Sequence, residues 1–216
     1  MCGIAGIFTE ETQDNIKKAL NNMLLSLAHR GPDFQESVLF EKGGFAHSRL
    51  SIIDKSAASH QPFSSPDGRY VLTYNGELYN FKALRKQLSG FYEFQTESDT
   101  EVVLAAYIKW QEKCLSYFNG MFAFAVYDTH KKMLFAARDR LGIKPLYYSH
   151  TKTSFMFASE FKAIANSPGF KKTLNHKAVN MYLTLDYIPA PLSIDEQIMK
   201  LEPGHFLIYH NHQLHC

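Results

Sequence analysis

The feature that most constrains this chain is a pair of apolar runs separated by four polar residues. Met121–Asp128 and Met133–Arg138 flank Thr129-His130-Lys131-Lys132. Two β-prone runs that close in sequence form an antiparallel hairpin. The device recurs. Glu36–Phe40 and Phe45–Ser48 flank Lys42-Gly43-Gly44, and Leu146–Ser149 and Phe155–Ser159 form another pair. Gly3–Phe8, Tyr70–Tyr74 and His205–His210 read as further strands. Helices interrupt them. Residues 13–28 put Ile16, Leu20, Met23, Leu24 and Leu27 on one face, and Gly31-Pro32 ends that helix. Phe81–Leu88 follows Asn80 as an N-cap, and a helix near 176–185 follows Asn175. Another, over about 99–113, opens on Ser98-Asp99-Thr100-Glu101, the spacing of a capping box. Ser56–Gly68 reads as a loop. Hairpins with helices between them are not the strict alternation of a doubly wound parallel sheet. The expected class is α+β.

With 216 residues, 45% of them apolar, the chain buries roughly 70% of its unfolded surface without staples. Seventeen Phe and twelve Tyr supply a β-rich core. No Pro- or Gly-rich linker divides it, so one domain over 1–216 is expected, with about 187–216 as a peripheral extension. A net charge of +2 without a basic cluster argues against nucleic acid. The longest strongly apolar run, Met121–Tyr127, falls far short of the ~20 residues of a membrane span. No leader pattern opens the chain, so the cytoplasm is the expected compartment. Three cysteines make no disulfide framework. Cys114 reads as a small buried apolar residue and Cys216 as a terminal thiol. His210, His212, His215 and Cys216 have a spacing that could bind a transition metal. A polar hairpin around Asn211-His212 explains them as well, and no metal is expected.

Cys2 has an option that no other cysteine has. Once Met1 is removed it carries both a thiol, pKa ~8.5, and an α-amine, pKa ~7.7–8.0. The amine is then partly neutral and can take the thiol proton, which is an activated nucleophile without a His or Asp partner. The plain alternative is a strand with a chance cysteine. Asn75-Gly76 favours a type I′ hairpin turn. Yet Glu77-Leu78-Tyr79 is short for a return strand and Asn80 starts a helix. A strand turning into a helix there would present an amide and backbone N–H groups, the makings of an oxyanion hole. Arg49 is either a surface ion pair or a bidentate clamp on a substrate carboxylate. Asp99 suits a helix N-terminus on dipole grounds alone, or it pairs with a substrate ammonium.

These signals combine in a resemblance. Met1–Phe8, His29-Arg-Gly-Pro-Asp33, Arg49–Asp54, Asn75-Gly-Glu-Leu-Tyr-Asn80, Ser98-Asp-Thr-Glu101, Gly120–Asp128 and Arg138–Tyr148 resemble the class II, N-terminal nucleophile glutamine amidotransferases. Within them they are most similar to the glutaminase domain of glutamine-hydrolysing asparagine synthetases. The resemblance implies a four-layer αββα sandwich with two mostly antiparallel sheets between helical layers. It implies that Cys2 is the nucleophile and that Asn75 and Gly76 form the oxyanion hole. Arg49 would hold the α-carboxylate of L-glutamine, and the backbone of Leu50, Ser51, Ile52 and Ile53 would shape the pocket. Asp99 and the carbonyl of Glu77 would hold the α-amine.

The family pattern continues into a synthetase domain whose Ser-Gly-Gly loop binds ATP. Gly43-Gly44, the only Gly-Gly here, matches no such loop. No cofactor is therefore expected in this domain, and ATP and Mg are expected only in a synthetase domain absent from these residues. The expected partners are L-glutamine and a synthetase domain or subunit, with a homodimer as a further expectation. Two other readings stand beside this one. The chain could be a class II glutaminase serving a different amidation, or a catalytically silent glutamine-binding or docking module.

Overall fold

The computed structural model describes residues 1–51 and 56–216. In chain order the elements begin with β1 (Gly3–Thr9), α1 (Gln13–Leu27), β2 (Phe34–Phe40), β3 (Gly43–Arg49), β4 (Phe63–Ser64) and β5 (Tyr70–Leu78). Next come α2 (Phe81–Leu88), α3 (Asp99–Trp110), β6 (Gly120–Asp128), β7 (Met133–Arg138), β8 (Tyr147–His150) and β9 (Ser154–Ala158). The chain closes with α4 (Phe161–Ala165), α5 (His176–Leu185), β10 (Met199–Lys200), β11 (Phe206–His210) and β12 (Gln213–His215). Two six-stranded sheets result, with orders β10-β8-β9-β1-β3-β2 and β12-β11-β7-β6-β5-β4. Their strand pairs are antiparallel.

Strand periodicity produces the layers. Side chains alternate across a strand, so Ile4 and Phe8 of β1 face the second sheet while Ala5 and Ile7 face α1. In β6, Ala123, Ala125 and Tyr127 face the first sheet, and Phe122, Phe124 and Val126 face α2 and α3. The inter-sheet layer matches large against small: Phe45 and Phe157, edge to face at 5.4 Å, lie in one cluster with Ala123, Ala125 and Ala136. Both sheets are covered on both faces, so their central strands read as continuous apolar runs rather than alternating ones. The four-layer αββα expectation holds.

Three local expectations change. The 187–216 stretch is not a mere extension. β10 and β11 extend one sheet each, and Ile198, Leu201 and Leu207 are buried. The Asn80 side chain does not cap α2. It ties the start of α2 to the segment before β6 instead, donating to the Tyr117 carbonyl at 2.9 Å and accepting from the Asn119 N–H at 3.1 Å. The capping box on α3 is half formed. Ser98 Oγ accepts from the Thr100 N–H at 3.2 Å. Glu101 turns to the Gln95 and Thr96 N–H groups, donors that the fold brings to it from the segment ahead of the helix.

Gly43-Gly44 lies inside β3. A Cβ on Gly43 would meet the Ile7 carbonyl oxygen at 2.4 Å. These glycines serve close strand packing.

Candidate active site

Sheet register brings the predicted residues to one end of the inter-sheet layer. Gly3 pairs with Ser48, so Cys2, one residue ahead of β1, lies opposite Arg49, the last residue of β3. On the second sheet Val71, Thr73 and Asn75 share a face by alternation, and Asn75 pairs with Ala123. Cys2, Arg49, Leu50, Ser51, Asn75, Gly76, Glu77 and Asp99 line one cavity of about 80 Å³. Ile52 and Ile53 lie outside the described residues. The Asn75-Gly76 turn is corrected: β5 runs unbroken through both residues to Leu78. The ladder to β6 overrides the local turn preference.

Each side chain is held by a different device. The Leu50 N–H donates to Cys2 Sγ at 3.4 Å, and the thiol lies 3.6 Å from the Leu50 carbonyl. Arg30 Nε donates to the Cys2 carbonyl at 2.9 Å while its NH1 donates to Glu160 at 3.0 Å. Asp33 accepts from the Ser51 N–H at 2.8 Å. The His29–Asp33 motif is thus a brace for Cys2 and for the Arg49–Ser51 segment. Burial pushes the Cys2 thiol pKa up, against the Leu50 N–H, the positive chain terminus, Arg49 and Lys144, which pull it down.

Arg49 is buried rather than on the surface. Its guanidinium donates to the Ser56 carbonyl at 3.1 Å and to Ser59 Oγ at 2.6 Å. Asp99, the first residue of α3, accepts from the Tyr74 hydroxyl at 2.8 Å and the Leu78 N–H at 2.9 Å through one oxygen. Burial raises its pKa, the two donors oppose this, and the Glu77 carboxylate adds to it. Beneath Arg49, His47 Nδ1 meets Thr73 Oγ1 at 3.0 Å across the two sheets. Burial, with Arg49, pushes its pKa down to about 3, so the imidazole is neutral.

Asn75 carries the clearest chemical signal. It is 1% exposed, and its Nδ2 has no hydrogen-bond partner among the described residues. An unserved buried donor costs roughly 1–3 kcal/mol, and this one belongs to a residue lining the cavity beside Cys2. Gly76 keeps the strand open there: a Cβ would meet the Met121 carbonyl oxygen at 2.6 Å and the Tyr74 ring at 2.6 Å.

Gln61, Ser59, Tyr74 and Lys144, which no motif singles out as site residues, line the same cavity. Gln61 Oε1 accepts from the Tyr74 N–H at 2.7 Å. Lys144 lies in the Arg138–Tyr148 motif, which carried a signal but no assigned role. Among the described residues no group of three or more His, Cys, Asp or Glu side chains could hold a metal ion. No helix among them is long and apolar enough to cross a membrane.

Comparison with known proteins agrees with this geometry. Residues 1–216 match the glutamine amidotransferase domain. Asparagine synthetase [glutamine-hydrolyzing] 1 of Bacillus subtilis is 37% identical over 94% of this chain and 33% of its own length. Asparagine synthetase [glutamine-hydrolyzing] 3 of the same organism is 38% identical over 97% of this chain and 35% of its own. The chain therefore spans about a third of these relatives. The glutamine phosphoribosylpyrophosphate amidotransferase of B. subtilis shares the fold, with a TM-score of 0.71 at 22% identity, over 99% of this chain and 48% of that one. Sequence match and fold lead to one conclusion: this chain belongs to the class II glutamine amidotransferase domains.

Proposed function

We propose that this domain hydrolyses L-glutamine to glutamate and ammonia. The observation that carries the reading is the buried Asn75 Nδ2, without a hydrogen-bond partner among the described residues, in the cavity that Cys2 also lines. After Met1 is removed, the α-amine takes the thiol proton and the sulfur attacks the γ-carbonyl. Asn75 Nδ2 and a backbone N–H at Gly76 receive the oxyanion, which satisfies the orphaned donor only when charge develops. The C–N bond breaks, the proton goes to the leaving nitrogen, and ammonia departs from a γ-glutamyl thioester. Water then hydrolyses the thioester and restores the thiol. Arg49 holds the substrate carboxylate and Asp99 the ammonium. Ammonia release from glutamine by the Met1-free chain, lost in Cys2→Ala, tests this. A processed chain that binds glutamine without releasing ammonia would be a silent module.

We further infer that the ammonia serves the ATP-dependent amidation of aspartate by a synthetase domain or subunit, in the cytoplasm. The two-thirds of the asparagine synthetases that this chain does not match support this. ATP and Mg belong to that step, and no residue of this cavity is assigned to them. The exposed apolar residues of α5 and its exit, including Tyr182, Leu183, Leu185 and Tyr187, are the surface we assign to that partner, since α5 buries only Ala178. Hydrogen exchange in the presence and absence of the synthetase half tests it, with protection expected over residues 176–188.

A further inference from the structure

Lys144 is a charged side chain that the proposed mechanism does not use. It is 5% exposed and lines the Cys2 cavity. Its ammonium has one hydrogen-bond acceptor among the described residues, the Met1 thioether at 3.4 Å, and a thioether accepts weakly. Among the described residues no carboxylate pairs with it. A buried ammonium normally has such a partner, so the fold holds this one in place at a cost.

Several contacts do the holding. Asp139, itself buried, accepts from the backbone N–H groups of Phe122, Leu141, Ile143 and Lys144 at 2.9–3.2 Å. Arg138 clamps the same loop by donating to the Lys144, Gly142 and Leu201 carbonyls. Gly142 turns the loop at φ +65°, a conformation that suits glycine. Backbone and side chains together fix the loop that brings Lys144 to the nucleophile.

We propose that Lys144 is a positioning residue whose ammonium keeps the α-amine of processed Cys2 neutral, so that the amine can accept the thiol proton. This rests on the glutaminase reading above. The charges around Cys2 make the argument. Arg30, from the turn after α1, is paired with Glu160 ahead of α4. Arg49, at the end of β3, is the carboxylate clamp. From β5 comes Glu77, whose charge acts on both Lys144 and Asp99. From α3 comes Asp99, held by Tyr74 and assigned to the substrate ammonium. Asp139 spends its oxygens on backbone donors. Lys144 is left as a cation with no paired carboxylate among the described residues and no role assigned to it in holding glutamine.

A new ammonium at Cys2 would share this cavity with it. Two like charges in a half-buried site do not both keep their protons easily. The α-amine, at ~7.7–8.0, gives up its proton before a lysine at ~10.4. Burial and Arg30 pull the Lys144 pKa down, while Cys2, Glu77 and Asp139 pull it up.

The test is the pH profile of kcat/KM for glutamine hydrolysis by the Met1-free chain, with Lys144→Met and Lys144→Arg beside it. The acidic limb reports the free enzyme's base. In Lys144→Met the amine keeps its proton to higher pH, so the limb moves up by about one unit. Activity falls about tenfold on the limb and recovers above it. Lys144→Arg restores the wild-type limb. An unmoved limb in a folded Lys144→Met protein overturns the proposal, as does equal loss at every pH. The amine is also titrated directly, through the pH dependence of its reductive methylation. An α-amine pKa in the wild type at or above ~8 overturns the proposal even if the variants fail to fold. A processed wild type that releases no ammonia at any pH defeats the glutaminase reading instead, while the amine titration still decides the role of Lys144.

Discussion

Two cavities in this molecule invite comparison. The larger, of about 550 Å³, lies between α1 and the β8–β9 hairpin, over Ile7, Ile16, Ala19 and Met156, with Lys18 and Lys171 at its rim. The smaller, of about 80 Å³, holds Cys2. Volume favours the first and chemistry favours the second. The rim lysines of the large cavity are exposed, where charges are well solvated and weakly coupled. The Cys2 cavity collects a buried arginine, a buried lysine, an aspartate with a raised pKa and an amide with no partner among the described residues. Unfulfilled polar groups in a buried site locate function better than empty space does.

Mutations at the two cavities test this contrast. The largest effect is expected at Cys2. Cys2→Ala abolishes ammonia release while thermal melting stays near wild type, and Cys114→Ala keeps most activity. Next comes Asn75→Ala, which lowers kcat by roughly 10²–10³ with a much smaller change in KM, because the donor acts on charge present only in the transition state. Asn75→Asp is at least as damaging, and steady-state kinetics checks both. Arg49→Ala weakens glutamine binding by roughly 10- to 150-fold, the value of a charge-assisted hydrogen bond. Glutamine lacking its α-carboxylate loses the same factor in wild type and little more in the variant. The smallest effect belongs to the large cavity. Lys18→Ala and Lys171→Ala change kcat/KM within about twofold. A larger loss there would end the contrast.

Much of this is legible in the amino-acid order, and the exceptions have physical reasons. The hairpins β2–β3, β6–β7 and β8–β9 are readable because local turns join their strands. Cys2, Arg49, Asn75 and Asp99 stand out through ordered motifs. Asn75-Gly76 reads as a turn because the dipeptide's local preference is real, and only the long-range pairing with Ala123 and Phe122 overrides it. β10 and β12 span two and three residues, too few for a periodic signal. Gln61, Ser59 and Lys144 give no local sign. Each lies far along the chain from Cys2, and its place in the cavity comes from sheet pairing and loop packing that spacing alone does not encode.

Cys2 as the site of thioester formation is tested by intact and peptide mass spectrometry of the Met1-free chain, acid-quenched during turnover of L-glutamine. A γ-glutamyl adduct is expected on the N-terminal peptide, at Cys2, and is absent from Cys2→Ala. An adduct at Cys114 or Cys216, or steady ammonia release by Cys2→Ala, would contradict it.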